Sequence, residues 1–511
     1  MIFEGDMKKI LINHNPWQTK VAVLRDDKLQ DIYFYYLKKN ELERCFFKGK
    51  VAKVLPGIQT AFVDIGQEKA GFLHITEIDR ALAIQKTFER DKNFTNKDEI
   101  EKNIRKEMDI NKIFSEKEEI LVQVNKEPIY GKGAKLTTCF TLPGRLIVLM
   151  PNIPQIGISK KIEDRQERMR LKSLLFKNLP KGMGAIIRTT SENKSEKEIK
   201  KDLAFLVSTW KSILKKFKKA TVGETVYKDL PITLRVIRDH LDKDVDIVMT
   251  DNAEDQKKIH KFVKNTTPEH AYKIRYYNGP PALFERFDVD KQINKALQKK
   301  VPLRSGGSLI IESTEAMNVI DVNTGRYIGK SNLEETILKT NIEAAEEIVT
   351  QLRLRNIGGL IVIDFIDMAN SSNRHRLSRF LEKTLKERDK FQTVALKVSE
   401  FGLVQMTRKR SGKTLVQQLT KICECCNSYG FVKSTQTVGY EALQQFKDTV
   451  QREHIRGSVA LILANDVFDY LIKNEYASIL ALEKELSCKI ILEEDEKLKS
   501  TQFRIEKIKN S

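Results

Sequence analysis

Between residues 8 and 38 apolar and polar positions alternate in the strings KILINHN, TKVAVLR and LQDIYFYYL, with polar turns between them. A period of two sends one side of each run to a core and the other to solvent, so the spacing predicts a β-meander at the start of the chain. From Phe46 the text reads FFKGKVAKVLPGIQTAFVDIGQEKAGFLHI, short β-branched and aromatic runs broken at Pro56, Gly57, Gly66 and Gly71. Runs this short with regular turns predict a small antiparallel barrel. Residues 79–118 are charged, helix-forming and poor in Gly and Pro, an insertion after which the barrel resumes at ILVQVNKEPIYGKGAKLT.

Residues 139–235 mix strand-like GRLIVLMP and AIIRTT with Lys-rich helical stretches such as WKSILKKFKK. After Leu234 the pattern predicts a strand-rich stretch, with a break at Pro280 and Pro281. From 296 to 420 strands and helices alternate. SLIIES, MNVIDVN and GLIVIDFID read as near-continuous apolar runs, of the kind buried on both faces of a sheet. Between the last two, a helix opens with Ser331 and Glu334 in capping-box spacing, carries apolar Leu333, Ile337, Ala344, Ile348 and Leu352, and ends before Gly358 and Gly359. This is a βαβ unit. Residues 433–511 form a last mixed α/β segment. The length, 511 residues, suits about three to five folding units.

Charge narrows the partners. The chain holds 90 Lys and Arg against 70 Asp and Glu, a formal charge of +20, which points to a polyanion: nucleic acid or an anionic membrane surface. No apolar run approaches the roughly 20 residues needed to span a bilayer. The first residues carry no apolar stretch with a small-residue cleavage site. Of six cysteines, Cys423, Cys425 and Cys426 crowd into four positions, unlike a spaced disulfide framework. These features point to a cytoplasmic protein. A P-loop, a GxSxG elbow and an HExxH pair are missing from the text, which leaves nucleotide-driven motors and serine hydrolases unsupported.

The sharpest chemistry lies in Asp321 of NVIDVNTG and Asp364 of LIVIDFIDM. Each closes an apolar strand, so each carboxylate belongs at the rim of a sheet, and adjacent strands would bring both to one cation. Mg²⁺ suits one or two carboxylates plus retained waters. Asn323, two residues on, shares the face of Asp321. Acids at strand ends also serve as caps and turn formers, and pattern alone favours that reading. Asp242, Asp244, Asp246 and Asp251 superficially resemble a calcium loop, but Ile247 and Ala253 stand where the turn Gly and the bidentate Glu belong, so a solvated strand edge is the better reading. Phe62 and Phe72 lie in segments flanked by Lys48, Lys50, Lys53 and Lys69, a mixture suited to stacking and phosphate tracking on single-stranded nucleic acid, although strand phenylalanines are more often core. The segment from Lys126 to Lys132 adds cations. Cys423 and Cys426 have C-x-x-C spacing, which suits a redox motif, a free-thiol pair, or half of a zinc site completed by another subunit. Arg408, Lys409 and Arg410 form a basic triplet before them.

Together these strings resemble the ribonuclease E/G family of bacterial endoribonucleases over essentially the whole chain. FKGKVAKVLPGIQTAFVDIG, KGAKLTT, RLIVLMP, FDVD, SGGSLIIESTEAMNVIDVNTG, TNIEAAEEIVTQLRLRNIGGLIVIDFIDM and GLVQMTRKR stand in the family's order and spacing. The short stretch after the cysteines looks like the family's shorter, ribonuclease G-type branch, without the membrane-binding and degradosome-binding segments of the longer one.

The resemblance implies a multidomain α/β (α+β) chain. An RNase H-like domain is split between 1–40 and 236–295, with an S1-type OB-fold at 41–138 (insertion 79–118) and a 5′-sensor region at 139–235 inserted into it. A DNase I-like catalytic domain at 296–420, a zinc-link at 421–432 and a small dimerisation domain at 433–511 follow. It implies a Mg²⁺-dependent endoribonuclease of single-stranded RNA that leaves 5′-phosphate and 3′-hydroxyl ends. Asp321 and Asp364 would bind the catalytic Mg²⁺ with Asn323 assisting. Phe62, Phe72 and Lys132 would contact RNA, with Lys126 beside them. Arg188 and Thr189 would hold a 5′-monophosphate, with Val148 lining that pocket, so processed 5′ ends would be preferred.

Cys423, Cys426 and Gly430 match the family's CPxCxGxG, in which two subunits share one Zn²⁺ through four thiolates. The implied assembly is a zinc-linked homodimer, with a homotetramer as the larger alternative. The implied substrates are rRNA precursors and mRNA. The sequence departs from the pattern at Glu424 (for Pro), Ser428 (for the first Gly), the extra Cys425, Gln405 (usually Glu) and Gln392, near a position usually basic. The rival reading is a noncatalytic RNA-binding or assembly protein that uses the OB-fold.

Overall fold

The computed structural model describes residues 7–36, 41–90, 109–128, 133–325, 333–426 and 430–508. The chain divides into two compact units, 1–414 and 415–511.

In the first unit, strands Lys8–His14, Gln18–Arg25 and Lys28–Tyr36 form the expected meander. Strand Val245–Thr250 joins it in parallel against Lys8–His14, and Ile274–Tyr276 extends the sheet to five strands. One sheet therefore draws on two segments far apart in sequence. The stretch after Leu234 is not strand-rich as expected. Residues Ile232–His240 are a helix with Ile232, Val236 and Ile237 buried, and Ala253–Thr266, which follows strand Val245–Thr250, is a second helix whose Ile259 and Val263 join the same core. The β-branched residues that suggested strand recur at helical spacing, and packing their stripe on the sheet outweighs local propensity.

Strands Phe46–Leu55, Thr60–Asp64, Gly71–His74, Lys135–Thr137 and Glu119–Lys126 pair in that spatial order, and Phe46–Leu55 pairs back onto Glu119–Lys126 to close a barrel. Val51, Ala61, Val63, Leu73, Val122 and Leu136 fill its interior. The insertion opens with helix Arg80–Arg90. A separate four-stranded sheet, built around Ile147–Met150 and Gly184–Ile187, packs against helix Glu196–Lys219 through Leu203, Leu206 and Trp210. Ser195 and Glu198 cap that helix reciprocally.

The largest sheet has six strands in the spatial order Lys300–Pro302, Ser308–Ser313, Met317–Asn323, Gly359–Asp364, Leu403–Arg408 and Thr393–Ala395. Met317–Asn323 and Gly359–Asp364 are parallel neighbours, as a βαβ unit requires, and helix Leu333–Leu354 connects them. This helix and Ser371–Arg388 bury one face of the sheet, with Ala344, Ile348, Leu352, Leu377 and Leu381 against Ile320, Ile361, Ile363 and Val404. The expectation of strands buried on both faces fails here: burial alternates along Gly359–Asp364, and on the other face Leu360 is exposed and Val362 half-buried. Of the anticipated capping box, Ser331 lies outside the described residues. Glu334 accepts from the backbone N–H groups of Ala369 and Asn370 and from Asn373 Nδ2.

Asp31 on the meander is buried and joins it to helix Leu333–Leu354 through Arg353, and to the segment after helix Ser371–Arg388 through Lys390 Nζ at 2.7 Å. In the second unit, helix Thr435–Arg452 and two further helices pack on a three-stranded sheet of Cys488–Glu494, Gly457–Leu463 and Phe503–Lys507.

Candidate active site

Alternation along two strands decides where the acids point. Ile320 and Val322 face the helices, as do Ile361 and Ile363, so Asp321 and Asp364 project from the open face of the sheet. They are direct register partners in the parallel pair. Paired positions on neighbouring strands lie about 4.8 Å apart along the hydrogen-bonding direction, close enough for two carboxylates to share a cation. Asn323 donates from Nδ2 to Asp321 Oδ2 at 2.7 Å. Asp364 has its carboxyl pushed above the usual carboxylate value, by burial first and then by the negative charges of Asp321 and Asp367. Crowded like charges on two strand ends fit a divalent ion with retained waters, and they would be an unfavourable arrangement for simple helix caps.

Residues that pattern reading passed over hold this geometry. Asn341, fully buried in helix Leu333–Leu354, donates from Nδ2 to Ile366 O at 2.9 Å and accepts from Ile366 N at 3.1 Å, two residues beyond Asp364. Glu334 braces Ala369 and Asn370 farther along the same segment. Asp367 was visible only as the second acid of DFID. The roles of Asn341 and Glu334 had no local signal, because each acts on backbone remote in sequence.

On the barrel, register places Lys53 opposite Phe62, Phe62 opposite Phe72, Phe72 opposite Lys135, and Lys135 opposite Lys126. Both rings are half-buried while their strand neighbours Ala61, Val63 and Leu73 are fully buried. The pair therefore lies on the outer surface and not in the core, flanked by the exposed cations Lys53 and Lys126. Lys135 is paired with Glu77. Lys48, expected beside the rings, instead pairs with Glu119 at 2.9 Å and covers the Phe217 ring. Lys132 lies outside the described residues.

At the end of strand Gly184–Ile187, Arg188 donates from Nη1 to Gly144 O and to Asp239 Oδ1, both at 2.7 Å. Burial raises the Asp239 carboxyl, but hydrogen bonds and charge from Arg238 and Arg188 outweigh it and hold the group at about 2. Asp239, the counter-ion that fixes Arg188, was not anticipated. Thr189 Oγ1 lies 3.0 Å from Ser159 Oγ. Val148 pairs in register with exposed Ile186, on the strand face that continues to Arg188.

Cys423 is exposed and Cys426 half-buried in a turn. Backbone N–H groups of Cys426 and Cys425 donate to the Cys423 sulfur and pull its thiol pKa down. Among the described residues no cluster of three or more His, Cys, Asp or Glu could hold a metal. The Asp242, Asp244, Asp246 and Asp251 series does not converge: Asp242 pairs with Lys8, and Asp251 pins Asn13 and the His14 N–H. Arg408 of the basic triplet is fully buried against Asp389 at 2.8 Å, so it is a structural cation. No helix among the described residues is long and apolar enough to cross a membrane.

An acid pair on an open sheet face and a lysine-flanked aromatic barrel define a nucleic-acid-processing class. Comparison with known proteins agrees. The family model described as "Ribonuclease E/G family" matches residues 141–411. A second, described as "RNase E/G, Thioredoxin-like domain", matches 422–508 and takes the cysteine turn and the C-terminal unit as one module. Ribonuclease G of Escherichia coli K12 is 38% identical over 437 residues, 86% of this chain and 87% of the relative. Ribonuclease G of Haemophilus influenzae is 37% identical over 477 residues, 93% and 94% of the two chains. Ribonuclease E of the same organism is 32% identical over 507 residues, 99% of this chain but 52% of the relative. The chain belongs to the ribonuclease E/G family, and it is an endoribonuclease.

Proposed function

We propose that this endoribonuclease hydrolyses single-stranded RNA with Mg²⁺ held by Asp321 and Asp364, leaving 5′-phosphate and 3′-hydroxyl ends. The observation that carries the reading is the register pairing of the two aspartates on the open face, with Asn323 bonded to one of them. When bound, the ion supplies charge neutralisation at the scissile phosphate and a water acidic enough to attack at neutral pH. Asn323 fixes the orientation of the Asp321 carboxylate, and the Asn341 clamp on Ile366 keeps Asp364 in place opposite it. Phe62 and Phe72 stack unpaired bases while Lys53 and Lys126 track phosphates, which favours single strands over duplexes. Water displaces the 3′ oxygen, so the P–O3′ bond breaks and the phosphate stays on the downstream fragment.

Around this chemistry the reading sets an RNase H-like split sheet, an S1-type OB barrel, a 5′-sensor region and a DNase I-like catalytic sheet. Arg188 and Thr189, with Val148 beside them, bind a 5′-monophosphate. Arg188 is already oriented by Asp239 and keeps further donors for phosphate oxygens. Cys423 and Cys426 supply two thiolates toward a Zn²⁺ shared with a second subunit, making a dimer or a pair of dimers. Ribosomal RNA precursors and messenger RNA in the cytoplasm are the substrates this reading favours.

The test is cleavage of short RNAs bearing 5′-monophosphate, 5′-hydroxyl or 5′-triphosphate, with and without Mg²⁺ and with product ends mapped. Asp321→Asn should lower turnover about 10²-fold or more while RNA binding persists. Turnover retained in that variant removes the assignment, and binding by the wild-type protein without Mg²⁺-dependent cleavage leaves the noncatalytic reading.

A further inference from the structure

We propose that Phe401 is a nucleobase-stacking residue at the cleavage site, holding an unpaired base of the strand whose phosphodiester lies at Asp321 and Asp364. The inference rests on the reading of those two aspartates as the hydrolytic centre.

Phe401 sits in the turn between strands Thr393–Ala395 and Leu403–Arg408, and Leu403 is the register partner of Asp364. The turn is pinned on several sides. Ser399 N donates to Leu403 O at 2.9 Å, Leu403 N to Ser399 Oγ at 3.1 Å, Gly402 N to Ser399 O at 3.2 Å, and Phe365 N to Gly402 O at 3.2 Å. Gly402 has φ +73°, and a Cβ there would stand 2.5 Å from Phe365 O and 3.2 Å from Asp367 Oδ1. Only glycine lets the turn lie so close against the segment that follows Asp364.

On this fixed backbone the Phe401 side chain is 78% exposed. A single exposed apolar residue is unremarkable on most surfaces. Here it stands on a rigid turn beside three carboxylates, Asp321, Asp364 and Asp367, whose negative charge repels the phosphodiester they must receive. A ring attracts a base without charge, and it does so for any base because each presents a π-face. Of the exposed charges on the same turn, Lys397 favours a flanking phosphate and Glu400 opposes one, so the ring and not charge carries the contact. The barrel row and Phe401 would then grip the strand at two separate points, with Phe401 next to the scissile bond.

The experiment uses the full chain with Mg²⁺, a 5′-monophosphorylated RNA with one mapped cleavage site, and the same RNA carrying a single abasic residue at each position flanking that site. With wild type, one abasic position should lower kcat/KM by about 5–100-fold. Phe401→Ala and Phe401→Leu should lose the same factor on intact RNA and become indifferent to that abasic position, while Phe401→Trp keeps the wild-type pattern. Phe401→Leu retains apolar bulk without a ring, so wild-type behaviour in it overturns stacking. Full activity in Phe401→Ala, or unchanged sensitivity to every abasic position, also overturns it. If Asp364→Asn abolishes cleavage and Phe401→Ala does not affect it, the hydrolytic centre stands and only this inference falls. If Asp364→Asn retains turnover, the centre itself falls and this inference with it.

Discussion

Asn341→Leu is the sharpest test of how the acid pair is held. The native amide makes two hydrogen bonds to one residue, donating to Ile366 O and accepting from Ile366 N, and its side chain is wholly buried. Leucine fills nearly the same volume but leaves that carbonyl and that N–H without their partner. At about 1–3 kcal/mol for each of the two groups so stranded, the loss is roughly 2–6 kcal/mol. The freed segment follows directly on Asp364, and a shift of about 1 Å at a catalytic group costs on the order of 10²-fold in rate. Steady-state cleavage should therefore show kcat falling about 10- to 100-fold with KM little changed, because the barrel proposed to bind RNA is untouched. Thermal unfolding of the same protein should show Tm lower by about 2 °C or more. Turnover within about twofold of wild type together with an unchanged Tm would refute the clamp.

Two further outcomes follow from the barrel and from the buried polar joint. Phe62→Leu should weaken single-stranded RNA binding by about 5–100-fold, read by fluorescence anisotropy, with Tm nearly unchanged because the ring lies on the outer surface; equal affinity would remove Phe62 from the RNA-binding row. Acid should destabilise the first unit in two stages. His240 is lowered to about 4 because burial, with help from nearby cations, outweighs the opposing charge of Asp31, so the unfolded chain takes up its proton near 6.5 and stability falls as pH drops from 6.5 toward 4. Burial raises the Asp31 carboxyl, but Arg353 and Lys390 drive it well below the usual carboxylate range, so its contribution is present above about pH 4 and is lost below that. A Tm profile against pH should show both stages, and His240→Gln should erase the upper one alone. A flat profile between pH 7 and 4 in the wild-type protein would contradict the His240 assignment, and a flat profile below pH 4 the Asp31 assignment.

What pattern could supply is plain in particular residues. MNVIDVN and GLIVIDFID are strands because their apolar residues are β-branched and short-period, and the acids at their ends fall on the face opposite the isoleucines by alternation alone. The meander strands and the barrel strands follow from the same local rule applied to shorter runs. The family resemblance was legible from whole strings, and with it the candidate roles of Arg188 and Thr189.

Other features depended on which segments meet, and a local period carries no information about that. Strand register made Asp321 and Asp364 direct partners, and helix packing on one side left their face open. The same packing turned Ile232–His240 into a helix against its β-branched composition, and it sent Lys48 to Glu119 and away from the rings. Asp239 beside Arg188 and Asn341 beneath Ile366 are likewise partners supplied by distant segments. Sequence by itself determined most of the elements, which residues share a strand face and the kinds of chemistry available. Tertiary structure alone decided which side chains share a site, because pairing and burial are settled by the packing of the whole chain.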